Sequence, residues 1–166
     1  MYIYLSIPLK FKQNKIKMQK RIVVASGYFE PTLHPGHLEY LYKAKALGDI
    51  LVVIVNNDRQ TVLKKGACTV PAADRVRILR AIECVDLAVE SIDEDRTVCK
   101  TLAMLHPHIF ANGGDATNDG VPEAVVCEAL NIKMVDGLGE KINSSRWIMK
   151  RMKENLEHVN EEYLDQ

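Results

Sequence analysis

The amino-acid sequence predicts an α/β fold in which one open parallel sheet of about five strands has helices on both faces. Two patterns carry this prediction. Short runs of β-branched and other apolar residues recur along the chain, and between them lie longer segments whose apolar residues are three or four positions apart. Strands and helices that alternate in this way form parallel sheets joined by right-handed crossovers. The 166 residues suffice for one domain of this kind, so we predict a single Rossmann-like domain.

Each predicted element follows from its own stretch of sequence. The predicted strands are residues 21–25, 50–55, 87–89, 109–111 and 133–135, whose apolar runs are typical of strands buried on both faces. The predicted helices are residues 36–47, 72–84, 96–105 and 122–130, followed by a last helix that starts near Ser144 and continues towards Tyr163. The chain contains no GxGxxG, which disfavours a dinucleotide-binding variant. Because ligands of such sheets bind beyond the carboxyl ends of the strands, we expect the site there.

The two ends of the chain differ in charge from the part between them. Residues 21–158 are predicted to form the domain, residues 1–20 a basic extension that is disordered or loosely docked, and residues 159–166 an acidic tail. Binding of nucleic acid by the basic extension is a weaker alternative. Over the whole chain 22 basic residues balance 22 acidic ones, so no overall charge favours nucleic acid or an anionic membrane as a partner.

The four cysteines are far apart in the sequence and form no CxxC pair. They are Cys68, Cys84, Cys99 and Cys127. Most of them lie in apolar patterns, which favours reduced core thiols over disulfides or a zinc site, and hence a cytosolic protein. The apolar stretch near the start of the chain is too short to span a bilayer. Neither a metal site nor a membrane segment is therefore predicted.

Residues 27–37, with the sequence GYFEPTLHPGH, join the first predicted strand to the first predicted helix. A glycine turn lets backbone N–H groups approach an anion, and the N-terminus of a helix adds partial positive charge. The imidazoles of His34 and His37 add directional donors. The structural alternative is a turn in which one imidazole merely caps the helix. The combination of glycine turn, two histidines and helix start suits a nucleotide phosphate site, although the histidine pair taken alone favours the cap.

This segment resembles the HxGH signature of the nucleotidyltransferase superfamily, in particular its cytidylyltransferase-like group, which includes glycerol-phosphate cytidylyltransferase and heptose-phosphate adenylyltransferase domains. His34 and His37 occupy the two histidine positions, with Gly36 between them. Further segments match in the same order, namely residues 63–66, 74–75, 112–115 and 142–146. Two features depart from the family: Glu30 stands where an aspartate is usual, and one additional residue separates Phe29 from His34. The resemblance covers residues 21–149.

The resemblance implies a transfer reaction in which a phosphorylated acceptor attacks the α-phosphorus of a nucleoside triphosphate and pyrophosphate leaves. It assigns catalysis to His34, His37, Lys65 and Arg146. It assigns nucleotide binding to Gly27, Tyr28, Phe29, Gly36, Arg75, Asn112, Gly113, Gly114, Asp115, Ser144 and Ser145. Mg²⁺ is expected on the phosphate oxygens of the nucleotide, without a dense cluster of protein carboxylates. Since relatives often pair two subunits, a homodimer is the expected assembly.

Several of these residues also have ordinary structural interpretations. Arg75 fits the surface of a helix, and one serine of the pair Ser144 and Ser145 fits an N-cap. Lys65 fits a solvated loop, although the resemblance implies a lysine on a mobile loop beside the phosphates. The segment that begins at Asn112 fits a plain glycine turn after a strand.

Three functions follow in order of preference. The first is transfer of CMP from CTP to a polyol, sugar or amino-alcohol phosphate, with ATP and a sugar phosphate or FMN as the close alternative pair. The second is a regulatory protein that binds nucleotides without transferring them, which the lengthened loop between Gly27 and His34 allows. The third and weakest is a nucleic-acid-associated protein that uses the basic extension.

Overall fold

The computed structural model describes residues 20–113, 120–138 and 145–156. They form a five-stranded parallel sheet with the strand order β3-β2-β1-β4-β5. The strands are β1 (Ile22–Gly27), β2 (Ile50–Val55), β3 (Leu87–Glu90), β4 (Ile109–Gly113) and β5 (Lys133–Leu138). The helices are α1 (Pro35–Lys45), α2 (Asp58–Lys65), α3 (Ala72–Arg80), α4 (Cys99–Leu105), α5 (Glu123–Ala129) and α6 (Ser145–Leu156). The predicted fold class is confirmed.

The central strands are apolar because helices cover both faces of the sheet. Successive side chains of a strand point to opposite faces, so Val23 and Ala25 of β1 enter one apolar cluster and Val24 enters the other. The first cluster contains side chains of α1 and α3, whereas the second contains Leu102 of α4 and Cys127 of α5. This double burial explains the continuous apolar run of β2.

The strand order reverses between β1 and β4. The chain moves outward from β1 through β2 to β3, and then returns to the other side of β1 to form β4 and β5. The paired positions of β1 and β4 end at Ala25 and Ala111, although β1 continues to Gly27 and β4 to Gly113. A crevice between the carboxyl ends of two such strands is where open α/β sheets bind their ligands.

Helix α2 was not predicted from the sequence. Its N-cap is Asn57, whose side chain accepts from the backbone N–H of Gln60, and the Gln60 side chain in return accepts from the N–H of Asn57. Gly66 ends the helix in the left-handed conformation, with φ of 86°. Lys64 and Lys65 therefore lie in the last turn of a helix, and the prediction that Lys65 lies on a loop is wrong.

The other differences concern the ends of elements. Helix α3 ends at Arg80 rather than at residue 84, and α4 begins at Cys99 rather than at residue 96. The expected start of the last helix at Ser144, and its continuation towards Tyr163, lie outside the described residues. So do most of the basic extension and the acidic tail. None of the helices described here is long and apolar enough to cross a membrane.

Candidate active site

The loop after β1 delivers two histidines to the start of α1. His34 is the N-cap residue in an extended conformation, and Pro35 follows at the beginning of the helix, where its missing N–H costs nothing. The carbonyl oxygen of His34 accepts from the N–H of His37 at 2.9 Å, which closes the first turn. Both imidazoles therefore lie at the positive end of the α1 dipole.

The rings of His34 and His37 stack on one another. Their centroids are 3.8 Å apart and their planes differ by 20°, while the ring of Phe29 packs against His37 at 5.2 Å. In the part of the chain that the structure describes, the Nδ1 atoms of both histidines are buried and have no hydrogen-bond partner. The additional residue of the loop thus does not separate the two imidazoles, and the Nδ1 atom of each is left without a partner among the described residues, which is rare for a buried polar atom.

The surroundings of both histidines favour the neutral imidazole. Burial, and after it the proximity of His34 and of Lys65, lower the pKa of His37 to about 4. Burial and then Lys65 also lower the pKa of His34. A bound phosphate would raise the pKa of both histidines, because an anion stabilises imidazolium. In the cradle, defined here as residues 27–37, the surroundings of both histidines therefore favour the neutral imidazole.

The low pKa of His37 predicts a dependence of stability on pH. An unfolded histidine titrates near 6.5 and the folded one near 4, so the unfolded chain binds more protons between these values. The free energy of unfolding should therefore fall as the pH is lowered from 6.5 to 4. Urea unfolding of His37→Asn should show a shallower fall over this range than the unmodified protein. His106→Asn, at the exposed end of α4, is the control and should leave the slope unchanged; equal slopes in all three proteins would contradict the assignment.

Lys65 lies beside the cradle. Its Nζ donates to the carbonyl oxygen of Glu30 and lies 5.6 Å from the centre of the Tyr28 ring. Burial lowers the pKa of Lys65, whereas the charge of Glu30 raises it and that of Arg75 lowers it. The structure thus brings Lys65 close to His34 and His37, from the end of α2 rather than from a loop.

Arg75 is buried inside the framework that supports the cradle. Only 2% of its surface is exposed. Its Nε donates to the carbonyl of Val70 at 2.7 Å, its Nη1 to those of Tyr28 at 2.8 Å and Asn56 at 2.7 Å, and its Nη2 to the carboxylate of Asp58 at 2.8 Å. The predicted alternative of a helix-surface residue is wrong. The guanidinium is directed into the protein, so we interpret Arg75 as a residue that positions the loop carrying Tyr28.

Glu30 ties a second segment to the cradle. Its carboxylate accepts from the backbone N–H groups of Thr69 at 2.7 Å and Val70 at 3.0 Å, and Arg75 lies 3.8 Å away. Burial alone would raise the pKa of Glu30, but these hydrogen bonds and the charge of Arg75 lower it. We call residues 66–71 the strap. The departure from aspartate to glutamate thus has a structural reason, because the Glu30 side chain reaches the strap.

A cleft of about 480 Å³ opens beside the cradle. It is lined by Glu30, Pro31, Lys64, Lys65, Ala67, Thr69, Ser145, Arg146 and Met149. Helix α6 contributes Ser145 at its first turn and Arg146 next to it, and so meets the two lysines that end α2. Ammonium and guanidinium groups that converge on one cleft suit a ligand with several phosphates. Ser144, predicted as a partner of Ser145, lies outside the described residues.

The crevice between the carboxyl ends of β1 and β4 has the cradle on one side and the end of β4 on the other. Asn112 and Gly113 lie there, while Gly114 and Asp115 fall outside the described residues. A Cβ atom at Gly113 would lie only 2.6 Å from the ring of Tyr40, and one at Gly27 would lie 3.0 Å from the ring of Phe29. Gly113 therefore lets the Tyr40 ring pack directly against the backbone of β4, and a side chain at Gly27 would have to displace the Phe29 ring.

No group of three or more His, Cys, Asp or Glu side chains within residues 20–113, 120–138 and 145–156 is arranged to hold a metal ion. All four cysteines have free thiols. Glu30, the acidic residue of the cradle, is already engaged by two backbone N–H groups.

Sequence reasoning missed the positioning residues of the site. Neither the strap contacts of Glu30 nor the burial of Arg75 was predicted. The signal for Glu30 was present, because it departs from the motif at the same place where the loop is longer. No local pattern around Arg75 indicates that its partners lie in segments up to 47 residues away.

Comparisons with known proteins match most of the chain to one family. A family model described as "Cytidylyltransferase-like" matches residues 24–158. The "Bifunctional protein HldE" of Pelobacter propionicus is 39% identical over 125 residues, which are 71% of this chain and 25% of that protein. The protein of the same name from Streptomyces coelicolor is 44% identical over 112 residues, which are 66% of this chain and 24% of that protein. The chain thus spans about a quarter of the length of these relatives.

A solved structure shares the fold. It is described as the lipopolysaccharide core biosynthesis protein from Thermoplasma volcanium GSS1 and superposes with a TM-score of 0.60 at 28% sequence identity. The match covers 73% of this chain and 98% of that one. Unlike the HldE proteins, this neighbour has nearly its whole length in the matched region.

Proposed function

Because the chain belongs to the cytidylyltransferase-like family of nucleotidyltransferases, we propose that it transfers a nucleoside monophosphate from a nucleoside triphosphate to a small phosphorylated acceptor. The observation that carries the proposal is the pair of stacked imidazoles at the N-terminus of α1, each with a buried Nδ1 that has no hydrogen-bond partner among the described residues. Buried polar atoms without partners are rare in proteins. Their position at the strand-order reversal supports a ligand that engages them there.

The proposed reaction needs alignment and charge stabilisation rather than covalent catalysis. A phosphate oxygen of the acceptor attacks the α-phosphorus, the bond from the α-phosphorus to the bridging oxygen breaks, and pyrophosphate leaves with that oxygen. Negative charge grows on the α-phosphate oxygens and on the leaving group. His34 and His37 stabilise the first, and Lys65 and Arg146 the second, as donors fixed before the reaction begins.

The substrate pair is the finer part of the proposal. We propose ATP as the donor and a sugar phosphate as the acceptor, which is the alternative pair predicted above from the sequence. The resemblance includes heptose-phosphate adenylyltransferase domains, and one further observation supports sugar chemistry. The structural neighbour is described by the biosynthesis of a lipopolysaccharide core, which is built from sugars. The preference for CTP stays an untested prediction.

Two further features belong to the proposal. Mg²⁺ would be held by the phosphate oxygens of the nucleotide and by water, since Glu30 is committed to the strap. When bound, the ion neutralises charge on the β- and γ-phosphates. Pairing of two subunits is proposed from the resemblance.

The test is release of pyrophosphate with Mg²⁺ present. ATP and then CTP are offered with heptose, hexose and glycerol phosphates and with FMN. Release with ATP and a sugar phosphate supports the full proposal, whereas release with CTP alone overturns the choice of donor. Binding of a nucleotide without release from any acceptor favours the regulatory alternative. That alternative is weakened by the histidine stack, because the longer loop was its motive and the stack is intact.

A further inference from the structure

A tyrosine hydroxyl lies between β1 and β4 at the last paired step. In a pair of parallel strands, the residue that follows a paired residue directs its N–H towards the carbonyl of the partner. Ser26 follows Ala25, which pairs with Ala111, so Ser26 N–H and Ala111 C=O face each other. The hydroxyl of Tyr40 accepts from Ser26 N–H at 3.1 Å and donates to the Ala111 carbonyl at 2.7 Å. The side chain of α1 thus joins the two strands where their pairing ends.

The same side chain touches both walls of the crevice. Tyr40 is 7% exposed, and its ring lies so close to Gly113 that a Cβ there would approach it to 2.6 Å. It also follows His37 by three residues on α1, which places both on the same side of the helix. The rigid ring of Tyr40 therefore connects α1, which carries the histidines, with the end of β4 at Gly113.

We propose that Tyr40 is a positioning residue that sets the width of the crevice between the cradle and the end of β4. This inference rests on the proposed function, in which a nucleoside triphosphate spans both walls, with its phosphates at His34 and His37 and its nucleoside near Gly113. The two walls then act as linked sites. A ligand that uses both depends on their separation, whereas a ligand that uses one does not.

Loss of the hydroxyl alters this separation without removing the ring. In Tyr40→Phe, Ser26 N–H and Ala111 C=O lose a common partner, and buried groups of this kind find another by movement of the strands or by entry of water. Either change alters the spacing of Gly27 and Gly113. The apolar packing of the ring against α1 and the sheet is preserved.

The experiment compares ATP with inorganic tripolyphosphate as ligands of Tyr40→Phe, by calorimetric titration. Tripolyphosphate contacts the cationic side alone, so its affinity should stay within about twofold of that of the unmodified protein. The affinity for ATP should fall about tenfold. Tyr42→Phe is the matched control, because Tyr42 lies two residues further along α1 with half of its surface exposed, and it should change neither affinity.

Each outcome has one meaning. Equal ATP affinity in Tyr40→Phe and the unmodified protein, or equal losses for both ligands, overturns the inference. Failure of the unmodified protein to bind ATP overturns the proposed function instead. If Tyr40→Phe does not fold, Gly113→Ala serves in its place, since the added methyl displaces the end of β4 from the intact tyrosine. The same selective loss of ATP affinity is expected, and its absence overturns the inference.

Discussion

His37→Ala is expected to lose nearly all turnover while the protein remains folded. The imidazole lies at the N-terminus of α1, stacked on His34, with a buried Nδ1 that is unpartnered among the described residues. A preorganised donor aimed at developing charge contributes about 100- to 1,000-fold in rate, because it needs no reorganisation when the charge forms. The measurement is the initial rate of pyrophosphate release at saturating ATP and sugar phosphate, with circular dichroism to verify the fold.

The control for this variant is His106→Asn. His106 is exposed at the end of α4. Because β4 begins shortly after it, His106 lies near the amino ends of the strands, away from the crevice at their carboxyl ends. Asparagine tolerates the left-handed backbone of that position, where φ is 43°. The control should keep the full rate. Turnover of His37→Ala within about threefold of the unmodified protein would exclude the role assigned to His37, since the expected loss is some hundredfold.

The parts of the fold that sequence predicts well are those with strong periodic patterns. Strand β2 was predicted with its observed ends, Ile50 and Val55, because a central strand buried on both faces is apolar throughout. The meeting of His34 and His37 at the start of α1 also follows from local sequence, since Pro35 is favoured at the first position of a helix and places the two histidines at its N-terminus. In these places one short segment contains all the physical causes of its structure.

The parts that failed depend on contacts between distant segments. Helix α2 has no apolar stripe, and the capping box of Asn57 and Gln60 marks its beginning. Gln60 is fully buried, and its amide donates to the carbonyls of Asp95 and Thr97. No periodic pattern predicts that a polar residue will be buried against a segment 35 residues away. Arg75 and Glu30 are further examples, since their partners come together only in the folded sheet.

Arg75→Met is expected to destabilise the protein by about 3–5 kcal/mol, the range for removing one partner of a buried charged network. Methionine keeps much of the volume but none of the donors. Three carbonyl oxygens and the carboxylate of Asp58 lose the guanidinium, and the buried carboxylate of Glu30 loses the positive charge that lies 3.8 Å from it. The free energy of unfolding in urea measures this effect. Arg77→Met, on the exposed side of the same helix, should cost less than about 0.5 kcal/mol.

This variant also separates the two roles of Arg75. The sequence resemblance assigned it to the nucleotide, whereas its contacts assign it to the strap, the Tyr28 loop and the end of β2. If Arg75 binds the nucleotide directly, Arg75→Met should lower ATP affinity and leave the free energy of unfolding nearly unchanged. If Arg75 positions the loop, the substitution should lower the free energy of unfolding, and ATP affinity should fall only because the Tyr28 loop and the strap lose their support. A free energy of unfolding equal to that of the unmodified protein, combined with lost ATP affinity, would therefore support direct binding of the nucleotide by Arg75. A residue that positions the loop cannot be removed without lowering the stability of the fold.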